Sequence, residues 1–424
     1  MISTAQWQGE PRPPRVVFTG GGTLGHLMPG IAVADELRRR WPESALTFVC
    51  TCGGAGGEFL RSLLATKGIR LENVSSFKWQ GGTWTRAYRA LRGMPAFTNG
   101  LLSAIALVRR LRPDVVVGLG GYGSVPTVLA AELTDVPTIL LEQNARPGKA
   151  NRLLARWAQS VCCAWPGSAA FLPHPDRAVH TGNPVRRDVA AAAMFPMTGA
   201  DAVPPRGRKK TLLVMGGSSG AVAINEVMVE SLPHLVAHRS WLRVIHSTGP
   251  LNLGVAQDSY ARYGFDAVVT PFIEDMAAAY RMSDLVVCRS GGTSLAELCA
   301  AGKPALLVPF PYAAEDHQRG NAMHLVEAGA AVVMDQFATT PEQFSEMILD
   351  LLANEGRLRE MAARSRALGR ADATDKVVEQ IQRWFGRKGG VRPAEGQAWT
   401  LSAGSVAAGY TAAAANRVLQ RNRQ

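Results

Sequence analysis

The chain has 424 residues, 47% hydrophobic and 19% charged, which excludes a disordered polymer and is too long for one ordinary core. Lys and Arg number 46 against 34 Asp and Glu, a formal net charge of +12 that suits nucleic acid, anionic lipid or a phosphorylated substrate without choosing among them. No apolar run reaches the roughly 18 residues of a membrane span, and the opening MISTAQWQGEPRPPR lacks a signal peptide's apolar core, so the expected compartment is the cytoplasm.

Residues 1–14 read as a flexible leader. Strands are then expected at RVVFTG (15–20), ALTFVC (45–50), VVVGLG (115–120), TILLE (138–142) and SVCCAW (160–165), with helical patterns such as GIAVADELRRR between them. Short β-rich apolar runs alternating with helices predict a parallel sheet covered on both faces. The first strand enters a turn holding Gly20, Gly21, Gly22 and Gly25, with Thr23 and His26. Glycines let main-chain amides approach an oxyanion at a helix start; a single such turn is equally a tight strand-to-helix connection. His26 suits a base at neutral pH or, as readily, a packed ring at a helix start. A second glycine turn, GLGGYGSVP (118–126), follows, and LLEQNARPGKANRLLAR (140–156) gathers Glu142, Gln143 and Asn144 at a strand's carboxyl end.

After HTGNPVRRD (180–188), residues 189–210 read as a linker, rich in Pro, Gly and charge. The pattern restarts at TLLVMGGSSGAVAIN (211–225). Further strands are expected at 243–249, 267–272, 284–291, 304–310 and 330–334. In CRSGGTSLAELCAAGKPALLVPFPYAAEDHQRGNA (288–322), a Gly-Gly turn leads into a helix bearing Glu297. Such a carboxylate can accept both hydroxyls of a ribose, or simply face the helix dipole. His317, Gln318 and Asn321 are expected in a loop, a good set for sugar hydroxyls. The six cysteines form no C-x-x-C pair and read as small buried residues. There is no D-x-D to hold a diphosphate through a metal and no G-x-x-x-x-G-K-[ST]. The expected fold class is therefore α/β: two Rossmann-like, doubly wound domains, 15–188 and 211–387, facing across a cleft, with a disordered tail at 388–424.

GGGTLGHLMPGIAVA, GGYGSVP, EQNARPGKANRLLA, TGNPVR, GGSSGAVAIN, FIEDMAAAYRMSDLVVCRSGGTSLAELCAAGKPALLVPFP and HQRGNA stand in one order over about residues 15–385. Together they resemble the MurG family of peptidoglycan N-acetylglucosaminyltransferases. The resemblance implies a GT-B fold and inverting transfer of N-acetylglucosamine (GlcNAc) from UDP-GlcNAc to the 4-hydroxyl of the muramoyl sugar in lipid I, undecaprenyl-diphospho-N-acetylmuramoyl-pentapeptide. It implies no cofactor, no metal and no nucleic acid partner. The enzyme would be peripheral, at the cytoplasmic face of the bacterial cell membrane.

Position by position, the resemblance assigns Thr23, Leu24, Gly25, Asn144, Arg186, Ser218, Ile273, Gln318, Asn321 and the run Gly292, Thr293, Ser294, Leu295, Ala296, Glu297 to UDP-GlcNAc. His26, Tyr122 and Asn144 would line the acceptor side. His26 is the candidate base and Glu142 the fallback. Two positions depart from the family's pattern: Leu24 stands where a glycine is usual, and Ser219 where a glutamine is. The stretch 77–113 mixes Trp79, Trp84 and Tyr88 with basic residues, which suits an anionic bilayer or an ordinary crossover helix; over 101–111 the helix is the favoured reading. Another lipid acceptor, a UDP-sugar epimerase or an inactive sugar-nucleotide binder are the rival readings.

Overall fold

The computed structural model describes residues 13–21, 24–50, 54–74, 86–192, 208–217 and 220–385; the side chains of Leu24, Phe59, 54–56 and 86–94 are outside that description. In the first half the elements run β1 (Arg15–Gly20), α1 (Leu24–Arg40), β2 (Ala45–Cys50), α2 (Gly54–Thr66), β3 (Arg70–Asn73), α3 (Arg86–Leu111), β4 (Val115–Gly118), α4 (Val125–Leu133), β5 (Thr138–Glu142), α5 (Lys149–Leu154), β6 (Ser160–Cys163) and β7 (Ala178–His180). The second half runs α6 (Arg187–Ala192), β8 (Lys210–Met215), α7 (Val222–Glu230), α8 (Leu232–Leu235), β9 (Leu242–Ser247), α9 (Leu253–Tyr263), β10 (Asp266–Thr270), α10 (Met276–Met282), β11 (Leu285–Cys288), α11 (Gly292–Ala301) and β12 (Ala305–Leu307). It closes with α12 (His317–Glu327), β13 (Ala331–Val333), α13 (Pro341–Ala353), α14 (Glu355–Leu368) and α15 (Ala373–Gln382).

Both sheets are parallel throughout, ordered β3-β2-β1-β4-β5-β6-β7 and β10-β9-β8-β11-β12-β13. Each reverses its winding beside its first strand, so the switch points lie between β1 and β4 and between β8 and β11. Ligands of doubly wound folds bind there, outside the carboxyl ends of the strands. The central strands are apolar on both sides because helices cover both faces. Along β1, Val16 and Phe18 enter one core and Val17 the other. Phe18 stacks on Phe48 of β2 at 4.9 Å. Strands β3 and β7 had no sequence signal: RLEN and AVH form the two edges of the sheet, where full burial is not required.

Two boundaries differ from expectation. The linker does not begin at 189, because α6 continues to Ala192, and Val189 and Ala192 are buried in the second sheet's core. The C-terminal stretch also does not stay with the second sheet. In α15, Val377, Val378 and Ile381 form a stripe that packs into the first sheet's core beside Val16 and Leu37. The chain thus ends its described course by strapping the second half to the first. The expected leader (apart from 13–14), most of the linker (193–207) and the tail lie outside the described residues. Cys50, Cys162, Cys163, Cys288 and Cys299 are buried, as expected; Cys52 lies outside the described residues. In α3, Ala104, Leu107 and Val108 pack on the first sheet, which is the crossover-helix reading for 101–111. Among the described residues no helix is long and apolar enough to cross a membrane.

Candidate functional site

The first switch point is built by two glycine turns that touch. Gly120 and Gly121 have φ of 89° and 74°, a region that penalises side chains. A Cβ on Gly121 would lie 2.4 Å from the Gly21 carbonyl oxygen and 3.4 Å from His26 Nδ1. Only glycine lets this turn carry the exposed Tyr122 so close to the start of α1. Leu24, where a glycine is usual, is the first residue of α1, so its backbone is right-handed helix and its side chain meets no left-handed backbone penalty. Its side chain, Thr23 and Ser218 lie outside the described residues.

His26 sits in the first turn of α1. Its Nδ1 is buried beside the Gly21 carbonyl without forming a well-aligned hydrogen bond. Burial lowers its pKa below the usual histidine range; the Gly21 carbonyl pulls the other way, and the charge of His317 from the opposite half adds to the lowering. The ring is therefore neutral, a proton acceptor, at neutral pH.

Pro29 lies inside the same helix. A proline has no N–H to give the carbonyl four residues back, and that carbonyl belongs to Gly25. Instead, Thr293 from the second half donates its hydroxyl to the Gly25 oxygen at 2.6 Å. Thr293 also reaches Gln143 Oε1 at 3.2 Å, and Gln143 Nε2 donates to the His26 carbonyl at 3.0 Å. Gly292 beside it packs so tightly that a Cβ would lie 2.4 Å from the Gln143 carbonyl oxygen.

Glu142, the fallback base, is fully engaged. One carboxylate oxygen accepts from the Asn144 main chain and side chain at 2.9 and 3.2 Å; the other accepts from the Gly148 N–H at 3.0 Å and Asn151 Nδ2 at 2.9 Å. Burial pushes its pKa up, against those donors. This geometry shapes the EQNARPG loop and leaves neither oxygen open to a substrate proton. Asn144, held this way, accepts from Asn321 Nδ2 at 3.0 Å, while Asn321 Oδ1 accepts from the Ala145 N–H at 2.9 Å. Asn321 is fully buried and also donates to the Ser290 carbonyl. Its amide joins the two halves rather than standing free for a sugar. His317, Gln318 and Asn321 open helix α12, correcting the loop expected there. Half-buried Gln318 accepts from the Phe310 N–H at 3.0 Å.

At the second switch point, the β8–α7 turn bends through Gly217 and Gly220, both at positive φ. Beside it, Gly291 caps α11, whose first N–H groups face the cleft end of the sheet. One turn into α11, Glu297 accepts from Tyr280 Oη at 3.1 Å. Burial raises its pKa; the nearby Arg186 guanidinium and the Tyr280 hydroxyl oppose the rise. Arg186 Nε is itself buried without a hydrogen-bond partner among the described residues, the nearby Asp188 carboxylate being 4.0 Å away. Ser294 and Ala296 are half-exposed on α11, and Ile273 is half-buried against the same core. Leu295 differs from its neighbours: its side chain is fully buried in that core and its N–H bonds to the Gly291 carbonyl. Tyr280 and Pro29 carried no motif of their own. The only available signal for Pro29 was its place four residues after Gly25.

Two doubly wound halves whose switch-point loops meet define the GT-B architecture. In agreement, residues 16–163 match the glycosyltransferase family 28 N-terminal domain and residues 211–377 its C-terminal domain. The chain is 40% identical over 368 residues to the UDP-N-acetylglucosamine–N-acetylmuramyl-(pentapeptide) pyrophosphoryl-undecaprenol N-acetylglucosamine transferase of Syntrophotalea carbinolica, covering 86% of this chain and 97% of that one. It is 40% identical over 367 residues to the same transferase of Syntrophus aciditrophicus, with the same coverage. The crystal structure of Acinetobacter baumannii MurG superposes with a TM-score of 0.66 at 30% identity, over 88% of this chain and all of that one. The chain belongs to the MurG family of glycosyltransferases.

Proposed function

We propose that this chain moves GlcNAc from UDP-GlcNAc to the muramoyl 4-hydroxyl of lipid I, forming lipid II. The observation that carries the reading is identity of 40% with curated transferases of that name along nearly the whole of both chains. The site residues are assigned by the same reading. The diphosphate would lie at the N-terminus of α11, where unpaired N–H groups and Arg186 offset the charge that grows on departing UDP. Glu297, oriented by Tyr280, would accept the ribose hydroxyls. Ile273 would meet the uracil, and Ser218 and Thr23 the phosphate region. Gln318 would hold the sugar.

In the reaction, the muramoyl 4-oxygen attacks the anomeric carbon in line as the bond to the UDP oxygen breaks. His26 takes the hydroxyl proton. Its depressed pKa keeps it unprotonated at neutral pH, and its nearness to Gly121, the residue before Tyr122, supports a role on the acceptor side. Glu142 acts through Asn144 by fixing the loop. Asn321 and Thr293 hold the two halves at working distance. We further infer that the enzyme rests peripherally on the anionic cytoplasmic face of the membrane, because its acceptor carries a lipid and no described helix crosses a bilayer. Transfer of radiolabelled GlcNAc to a lipid I analogue tests the function. Label that reaches a diacylglycerol but not lipid I would replace this acceptor with the rival one. Flotation on anionic versus neutral liposomes tests the surface.

A further inference from the structure

At the end of the first sheet opposite the cleft lies a second cavity, of about 340 Å³. It is framed by the amino-terminal starts of β1 and β2, by Arg70 opening β3, and by the last turns of α1 and α3. Arg15, Arg38, Arg70 and Arg110 line it together with the Ser44 and Thr47 hydroxyls, and no Asp or Glu is among its lining residues. Doubly wound folds bind their main ligand at the carboxyl ends of the strands, so this cavity is separate from the transferase site.

The arginines are unequally satisfied. Of the three that end α1, Arg39 and Arg40 pair with Glu36 at 2.6 and 2.7 Å. Arg38 has no carboxylate partner among the described residues; its two terminal nitrogens reach only the Lys67 and Gly68 carbonyls, at 3.4 and 3.5 Å, the outer limit of a hydrogen bond. Its Nε and the Ser44 hydroxyl are buried with no partner among the described residues. Such groups are paired in folded proteins unless something else fills the site. Arg70 is exposed and has no ion pair among the described residues. Arg110 has one, with Glu72 at 2.8 Å, and Asp114 at the rim accepts the Arg15 main-chain N–H at 2.8 Å.

We propose that this cavity binds a small soluble anion carrying more than one phosphate group. Guanidinium forks match phosphate oxygens in pairs. The volume, at the small end of ligand pockets, suits a compact diphosphate rather than a whole nucleotide sugar. The inference goes beyond the transferase reading and does not depend on it.

Calorimetric titration of the full chain with inorganic pyrophosphate tests it, with UDP present in saturating amount to fill the cleft. One binding event per chain is expected. Arg38→Ala should weaken it at least tenfold and Arg70→Glu by a similar factor, with affinity falling as salt rises. Arg70 stands exposed at the sheet edge, so its variant folds even if Arg38→Ala does not. Absence of binding under saturating UDP, or affinity unchanged in Arg70→Glu, overturns the proposal. So does Arg38- and Arg70-dependent binding to phosphatidylglycerol vesicles by a chain that ignores pyrophosphate, which would make the anion a lipid headgroup.

Discussion

Thr293→Val tests the bond that Pro29 makes necessary. Valine keeps the shape of threonine and removes the hydroxyl. The Gly25 carbonyl then loses its 2.6 Å donor and has no helical replacement, because Pro29 lacks an N–H. An acceptor left unsatisfied in a half-buried interface costs about 1–3 kcal/mol. For a chain of this size that is a fall in Tm of roughly 1–3 °C. Measurement by calorimetric melting without ligand isolates the interdomain bond from any contact Thr293 makes with substrate. The same substitution made in a Pro29→Ala background supplies the control. That background restores a main-chain N–H at position 29, which can donate to the Gly25 oxygen within the helix, so the cost of Thr293→Val should drop by half or more. Such coupling is what a double-mutant cycle detects for residues sharing a partner. An equal cost in both backgrounds would refute the reasoning.

Gly292→Ala places a Cβ about 1 Å inside ordinary contact with the Gln143 carbonyl oxygen; overpacking of ~1–3 kcal/mol should lower Tm in calorimetric melting, while Gly291→Ala, which meets nothing within 4 Å, leaves Tm unchanged. Loss of the His26 base should cost ~10²–10⁴ in kcat, and the acidic limb of the wild-type kcat/KM profile should fall below the usual histidine pKa and vanish in His26→Ala, because burial depresses that pKa and activity needs the neutral ring. Glu142→Gln should destabilise by roughly 1.5–3 kcal/mol in urea titration, since an amide offers one acceptor oxygen where the loop supplies donors to two. Glu36, held down to about 2 by Arg39 and Arg40, contributes stability that is complete above its unfolded value of 4.5 and lost as pH falls toward 2; Glu36→Gln should flatten the acid limb of a pH–stability curve in that window.

The architecture was legible because parallel strands covered on both faces leave continuous apolar runs, as in VVVG and TILLE, and because each half announces its switch point with glycines. RLEN and AVH escaped notice because edge strands need no such run. The site was legible as a set of positions but not as a set of bonds. EQNARPG marked Glu142 as a polar group at a strand end. Nothing in the string says that four donors close around it, because Gly148 and Asn151 approach only after the loop has folded. Leu295 was counted with its neighbours because a motif is contiguous, whereas a helix turns every fourth residue inward. Asn321 and Thr293 are interdomain ties, and a contact across 177 or 268 residues leaves no local trace. The strap formed by α15 has the same cause: its stripe of Val377, Val378 and Ile381 specifies burial but not against which half.

The central claim is that UDP-GlcNAc lies between the two switch points, with its diphosphate on main-chain amides and Arg186. A crystal structure of the complex tests it most directly. The account predicts the diphosphate against the first turn of α11 within hydrogen-bond reach of Arg186, the ribose on Glu297, and the anomeric carbon facing His26. A nucleotide sugar bound away from the β1–β4 and β8–β11 switch points, or with Arg186 turned from its phosphates, contradicts the account.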